Sequence, residues 1–169
     1  MVGRQRFRAR VEPPIFPIMI DDLYSARILT LAANLPHAGR LPTPDGTGER
    51  TAKLCGSRAT VDVTLDDQAR VAAFAQDVKA CALGQAAAGV LGQHVIGASV
   101  QDIQDARDAM TAMLKSGGDG PTGRFEDLRL LKQVADYPAR HASTLVSLEA
   151  TLEAMKNALT ARTRLAGAA

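Results

Sequence analysis

The chain has 169 residues, 46% of them hydrophobic, only 4% aromatic and none of them Trp. That length accommodates one domain with a core of Leu, Val, Ile, Met and Ala, a composition that favours close packing of helices. The net charge of +2 argues against nucleic-acid binding by the folded part, and no apolar run reaches transmembrane length, which excludes a membrane role.

Much of the positive charge lies at the start, on Arg4, Arg6, Arg8 and Arg10. Residues 1–18 read as a disordered basic and Pro-rich extension, with Met19 a natural beginning for the ordered chain. Three prolines between Val11 and Pro17 make an extended lead-in, because each fixes its own backbone angle and lacks an amide donor. Asp21 and Asp22 can cap a helix with Tyr24, Ile28, Leu31 and Leu35 on its apolar side, ended by Pro36. The prolines and glycines from His37 to Gly48 read as a loop.

Glu49 to Leu54 is a plausible short strand. Arg58 to Asp66 is a stronger one, since Val61, Val63 and Leu65 alternate with Thr60, Asp62 and Thr64 to give one apolar and one wet face. Asp66-Asp67-Gln68 turns the chain, and Val71 to Lys79 returns as a third strand. The result is a small antiparallel meander with one cysteine, Cys55, near its first turn and the other, Cys81, just past its end.

After Cys81, Ala82, Leu83, Ala86, Ala87, Val90 and Leu91 form a small-residue helix ending near Gly92. Cys81 then sits at a strand-to-helix junction, where first-turn amides and the helix dipole favour a thiolate. A structural cysteine could occupy the same place. Ser99 can cap the next helix, with Ile103, Ala106, Met110, Met113 and Leu114 as its buried stripe and Asp102, Asp105, Arg107 and Asp108 facing water.

The segment Ser116 to Gly123 is glycine-rich but is no phosphate cradle. It lacks a preceding strand and a Gly-Lys-Ser/Thr ending, and Pro121 removes an amide. Phe125 to Ala135 reads as a short helix, broken by Tyr137-Pro138. A last helix runs from about Ala139 to Thr160, carrying Leu145, Leu148, Leu152, Met155 and Leu159, with residues 161–169 a frayed tail. An intracellular, cytoplasmic protein with two cysteines uses them as thiols, ligands or nucleophiles rather than as a disulfide framework.

Several stretches together resemble a known family. The Cys55-Gly56 pair after a short strand, the run Cys81-Ala82-Leu83-Gly84-Gln85-Ala86-Ala87-Ala88, the following Val95-Ile96-Gly97, and Val134-Ala135-Asp136-Tyr137-Pro138-Ala139-Arg140 are similar to the U-type iron-sulfur cluster assembly scaffolds, the group of IscU, the NifU N-terminal domain and SufU. The resemblance spans roughly Met19 to Met155 and implies a single domain over residues 19–160. Its fold would be α+β, a three-stranded antiparallel sheet packed against a layer of about five helices, with a metal site at one end.

It further implies that Cys55 and Cys81 match two of the family's cysteines. Ser143 stands at the third, Ser57 where an aspartate is usual, and Ala142 where a Lys or His precedes the third cysteine. A tetrahedral iron or zinc site wants four ligands, and a neutral hydroxyl is a poor one. Three completions are open: His141 joining Cys55 and Cys81, two chains pooling their cysteines around a cluster, or an exogenous thiol.

The function implied is that of an assembly scaffold, not an enzyme in the turnover sense, holding iron or an iron-sulfur cluster, or else zinc. Expected partners are a cysteine desulfurase, iron-sulfur acceptor proteins and a second copy of the chain. The alternative is a cluster-free interaction module, in which Cys81 accepts persulfide sulfur and Cys55 resolves it. A hydrolase built on Ser57 or Ser143 with His141 lacks a nucleophile elbow and an orienting acid.

Overall fold

A computed structural model describes residues 24–168. The Asp21 and Asp22 caps and the basic extension lie outside the described residues. The first described helix, α1 (Ala26–Ala33), is capped by Ser25, whose Oγ accepts from the Ile28 amide at 3.3 Å, and it buries Ile28 and Leu31.

Three strands follow, β1 (Gly46–Thr51), β2 (Arg58–Leu65) and β3 (Val71–Lys79), in one antiparallel sheet of order β1-β2-β3. Gly48 pairs with Val61, and Val61 in turn with Gln76. The expected first strand, 49–54, starts earlier, at Gly46. The two glycines that suggested a loop are there because a long helix lies directly on the strand. A Cβ at Gly46 would collide with the Ala154 carbonyl, and one at Gly48 with the carbonyl of Ala150.

On β2, Val61, Val63 and Leu65 enter the core as the alternation requires. The opposite face is not wet, because the loop after α1 folds over it. Arg40 Nε donates to Asp62 at 2.7 Å, and the Leu41 amide and Thr47 hydroxyl donate to the same carboxylate, so Asp62 is fully buried but satisfied.

α2 (Ala82–His94) and α3 (Val100–Ser116) come next. Ser99 and Asp102 form a reciprocal capping box at the start of α3, which gives Asp102 a structural task beyond facing water. The following stretch, Gly123–Asp136, is a 3-10 helix rather than an α-helix. Its buried residues Phe125, Leu128, Leu131 and Val134 recur every third position. That spacing keeps one face inward at three residues per turn, whereas an α-helix would rotate it away.

The last helix, α4 (Pro138–Gly167), has 30 residues and crosses β1 and β2 on one side while packing α2 and α3 on the other. The frayed tail expected from 161 is instead helical through Gly167. Arg162 ties it to the β2 end, donating to Leu65 O at 3.0 Å and Asp66 O at 2.8 Å. The fold is thus α+β, with a three-stranded antiparallel sheet and five helices. No described helix is long and apolar enough to cross a membrane.

Candidate functional site: two thiols around a buried hydroxyl

The β1–β2 turn is closed by the Ala52 amide donating to Ser57 O at 2.7 Å and the Gly56 amide donating to Ala52 O at 2.9 Å. Gly56 adopts φ +69°, a left-handed conformation that glycine accepts without strain. This turn carries Cys55 out to solvent and directs Ser57 inward, where it is buried. Cys81 is the N-cap residue of α2 in extended conformation and is half-buried.

Between the two comes α4. Ser143, with no solvent exposure, places Oγ 3.3 Å from Cys81 Sγ and 3.0 Å from Ser57 Oγ, and Cys55 Sγ donates to Ser57 Oγ at 3.1 Å. An unbroken hydrogen-bonded row therefore joins the two sulfurs. α4 approaches α2 closely enough for this only because residue 84 is glycine. A Cβ there would lie 2.8 Å from Ser143 O and 2.9 Å from Ser143 Oγ.

The sulfurs open on a cleft of about 500 Å³ lined in part by Lys79, Gln85 and Arg140. Both thiols are held below the ordinary thiol range. For Cys55 the hydroxyl and amide of Ser57 contribute most, with Ser143 and the charge of Arg140 adding to them against a burial penalty. For Cys81 burial pushes the thiol up, but Ser143, the amides of Gly84 and Leu83, and Arg140 together outweigh it. The arrangement sets two thiols, each with its ionisation favoured, facing one opening.

His141 does not join them. It is buried elsewhere, with Nε2 3.0 Å from Val134 O and 3.2 Å from Ala135 O. Two positions before Ser143 on the same helix, it is rotated by about 200° from the thiols and closes the end of the 3-10 helix instead. The expectation that His141 completes a metal site with Cys55 and Cys81 is corrected accordingly, and the Ser-His pairing of a hydrolase fails for the same reason. Among the described residues, no three His, Cys, Asp or Glu side chains gather where they could hold a metal ion.

Sequence reasoning treated Ser57 and Ser143 as substitutions and did not assign Arg140 to the site. A signal for Arg140 was present, since it precedes Ser143 by three positions and so shares its helix face.

A family model described as the NifU-like N terminal domain matches residues 23–144, a span that includes both cysteines, Arg140 and Ser143. Among solved structures, the N-terminal part of a nitrogen-fixing NifU-like protein from Brucella abortus is 45% identical, covering 85% of this chain and 99% of that one with a TM-score of 0.81. A putative iron-sulfur cluster assembly scaffold protein for the SUF system from Fervidobacterium islandicum is 18% identical over 80% of this chain and 98% of that one, with a TM-score of 0.72. A hypothetical protein is 21% identical over 81% of this chain and 99% of its own, with a TM-score of 0.67. The last two show likeness of fold. No curated protein sequence matches the chain.

Proposed function

The chain belongs to the family of NifU-like N-terminal domains, and from that premise we propose that it serves iron-sulfur cluster assembly as a two-thiol sulfur acceptor. Its sulfur donor is a cysteine desulfurase, and iron or an assembled cluster is cargo destined for acceptor proteins. The action is stoichiometric transfer in the cytoplasm, not catalytic turnover. The observation that carries this reading is the convergence of Cys55 and Cys81 on the Ser143 hydroxyl, with both thiols held toward the thiolate.

Sulfur transfer needs an accessible thiolate and no fourth ligand. A four-coordinate iron or zinc site needs more donors than the described residues gather here. Two thiolates and two buried hydroxyls do not fit it, because a neutral hydroxyl is a poor donor to either metal. A cluster of the usual kind therefore requires ligands beyond those the described residues gather, such as those of a second copy or a small thiol.

The test is an anaerobic reaction with a cysteine desulfurase and free cysteine, followed by peptide mapping of persulfides. Sulfur on Cys55 or Cys81, lost in the double Cys→Ser variant, is expected. A desulfurase that turns over while both cysteines remain unmodified would favour the second reading, a cluster-free interaction module of the same machinery.

A further inference from the structure

The two thiols differ in access. Cys55 stands exposed on the β1–β2 turn, whereas Cys81 is half-buried beneath the start of α2. A protein donor reaches the first without rearrangement of this chain. The second opens on the same cleft with less of its surface exposed, and the Ser143 hydroxyl lies 3.3 Å from its Sγ and 3.0 Å from the Ser57 hydroxyl that Cys55 meets.

We infer that sulfur enters at Cys55 and passes over the Ser143 hydroxyl to Cys81, so that the two cysteines act in order and Ser143 is the positioning residue between them. This rests on the sulfur-acceptor reading above and reverses the order expected from sequence, in which Cys81 received sulfur first. The geometry favours it because a persulfide lengthens a thiol by one S–S bond of about 2 Å. That extension carries the outer sulfur along the row of hydroxyls, Ser57 then Ser143, that already joins the two sites.

The chemistry balances without an oxidant or reductant. Cys55 thiolate attacks the outer sulfur of the donor persulfide, a new S–S bond forms as the donor's breaks, and the donor leaves as a thiolate. Cys81 thiolate then attacks the same outer sulfur. The Cys55–sulfur bond breaks with its electron pair left on Cys55, and the transferred sulfur keeps its proton through both displacements and releases it to solvent once it rests on Cys81. The product gains from its surroundings, since the amides of Leu83 and Gly84 and the N-terminal end of the 13-residue α2 face position 81. The charged groups lining the cleft are Lys79 from the end of β3 and Arg140 from α4, both favourable to a persulfide anion.

The experiment uses glutathione persulfide as donor, mixed anaerobically with the full chain, quenched with an alkylating reagent at successive times and mapped by peptide mass spectrometry. Persulfide is expected first on Cys55 and then on Cys81. In Cys81→Ser it should stay on Cys55, and in Cys55→Ser loading of Cys81 should fall about tenfold, the deficit of a half-buried thiol against an exposed one. Ser143→Ala should load Cys55 more slowly, and of the sulfur that reaches Cys55 a smaller share should pass to Cys81 than in the wild type; the far-ultraviolet circular dichroism and thermal midpoint of the variant report that it is folded.

Equal loading of Cys81 in the wild type and Cys55→Ser overturns the order. So does persulfide that never leaves wild-type Cys55, or a Cys55–Cys81 disulfide released with free sulfide. Because the donor is a small molecule, a desulfurase that fails to dock leaves these outcomes unchanged, which separates the two proposals.

Discussion

At the scale of single residues, the thiol chemistry depends on a hydroxyl that is not itself the nucleophile. Ser143 lies against Cys81 Sγ directly and reaches Cys55 through the Ser57 hydroxyl, and a hydroxyl that can turn its proton toward a thiolate lowers the pH at which the thiol ionises. Removing it in Ser143→Ala raises that pH for both cysteines, so alkylation by iodoacetamide at neutral pH becomes slower and its pH profile shifts upward. An unchanged profile at Cys81 would contradict the role. Gly84 is legible only with the structure in hand, because nothing in the run Cys81 to Ala88 says which small residue meets α4.

His141 gives the complementary prediction. Its ring closes two carbonyls of the 3-10 helix, so His141→Ala should cost about 1 to 3 kcal/mol, the penalty for leaving buried acceptors unpaired, measured by urea unfolding. Persulfide loading of the folded variant should be unchanged, whereas a ligand role would abolish metal retention without that loss of stability. The sequence placed His141 near the site because it adjoins Ser143. A ligand role would need a local change of helix geometry, but α4 is regular there and helix rotation puts the ring on the other side.

At the scale of elements, the strand β2 is legible from the alternation of Val61, Val63 and Leu65 with polar residues, β3 from the turn before it and from Val71, Phe74 and Val78 among alanines, and α2 and α3 from their small-residue and capped patterns. The strand β1 was misplaced, since Gly46 and Gly48 carry no side-chain periodicity and owe their identity to α4 above them. Gly48→Ala should therefore destabilise by about 1 to 3 kcal/mol through overpacking, seen as a lower thermal midpoint. Gly117→Ala, where nothing lies within reach of a Cβ, isolates the backbone contribution alone.

The 3-10 helix was visible as a threefold repeat, Phe125, Leu128, Leu131, Val134, yet an apolar run next to a glycine loop is read as an α-helix by default. Truncating its middle, Leu128→Ala, should cost about 2 to 5 kcal/mol as a buried cavity. A cost near zero would mean that the face is not packed as described.

At the scale of the whole molecule, α4 unites sheet, helices and site, and the turn–helix–helix geometry fixes the two thiols before any partner arrives. Asp62 steadies the opposite side of the sheet. Burial pushes its carboxyl up, but Arg40, Thr47 and the Leu41 amide outweigh that and hold it below the ordinary carboxylate range. Its contribution is therefore complete above the pH at which an unfolded aspartate ionises and is lost as pH falls through its lower folded-state value. Asp62→Asn should be less stable than the wild type near neutral pH and approach it in acid. Parallel stability curves for the two proteins would contradict the assignment.

The fold and the pairing of Cys55 with Cys81 were recoverable from sequence through family resemblance. The arrangement of hydroxyls between them was not, because a serine in place of a ligand reads as a loss until its partners are seen. That arrangement is the ground for the proposal that sulfur, which needs only a thiolate, is what the two cysteines take up.

Native mass spectrometry after anaerobic incubation with a cysteine desulfurase, cysteine and ferrous iron tests this most directly. The account predicts single chains carrying added sulfur on a cysteine and no iron. Single chains carrying an iron-sulfur cluster, with no small thiol attached, would contradict it.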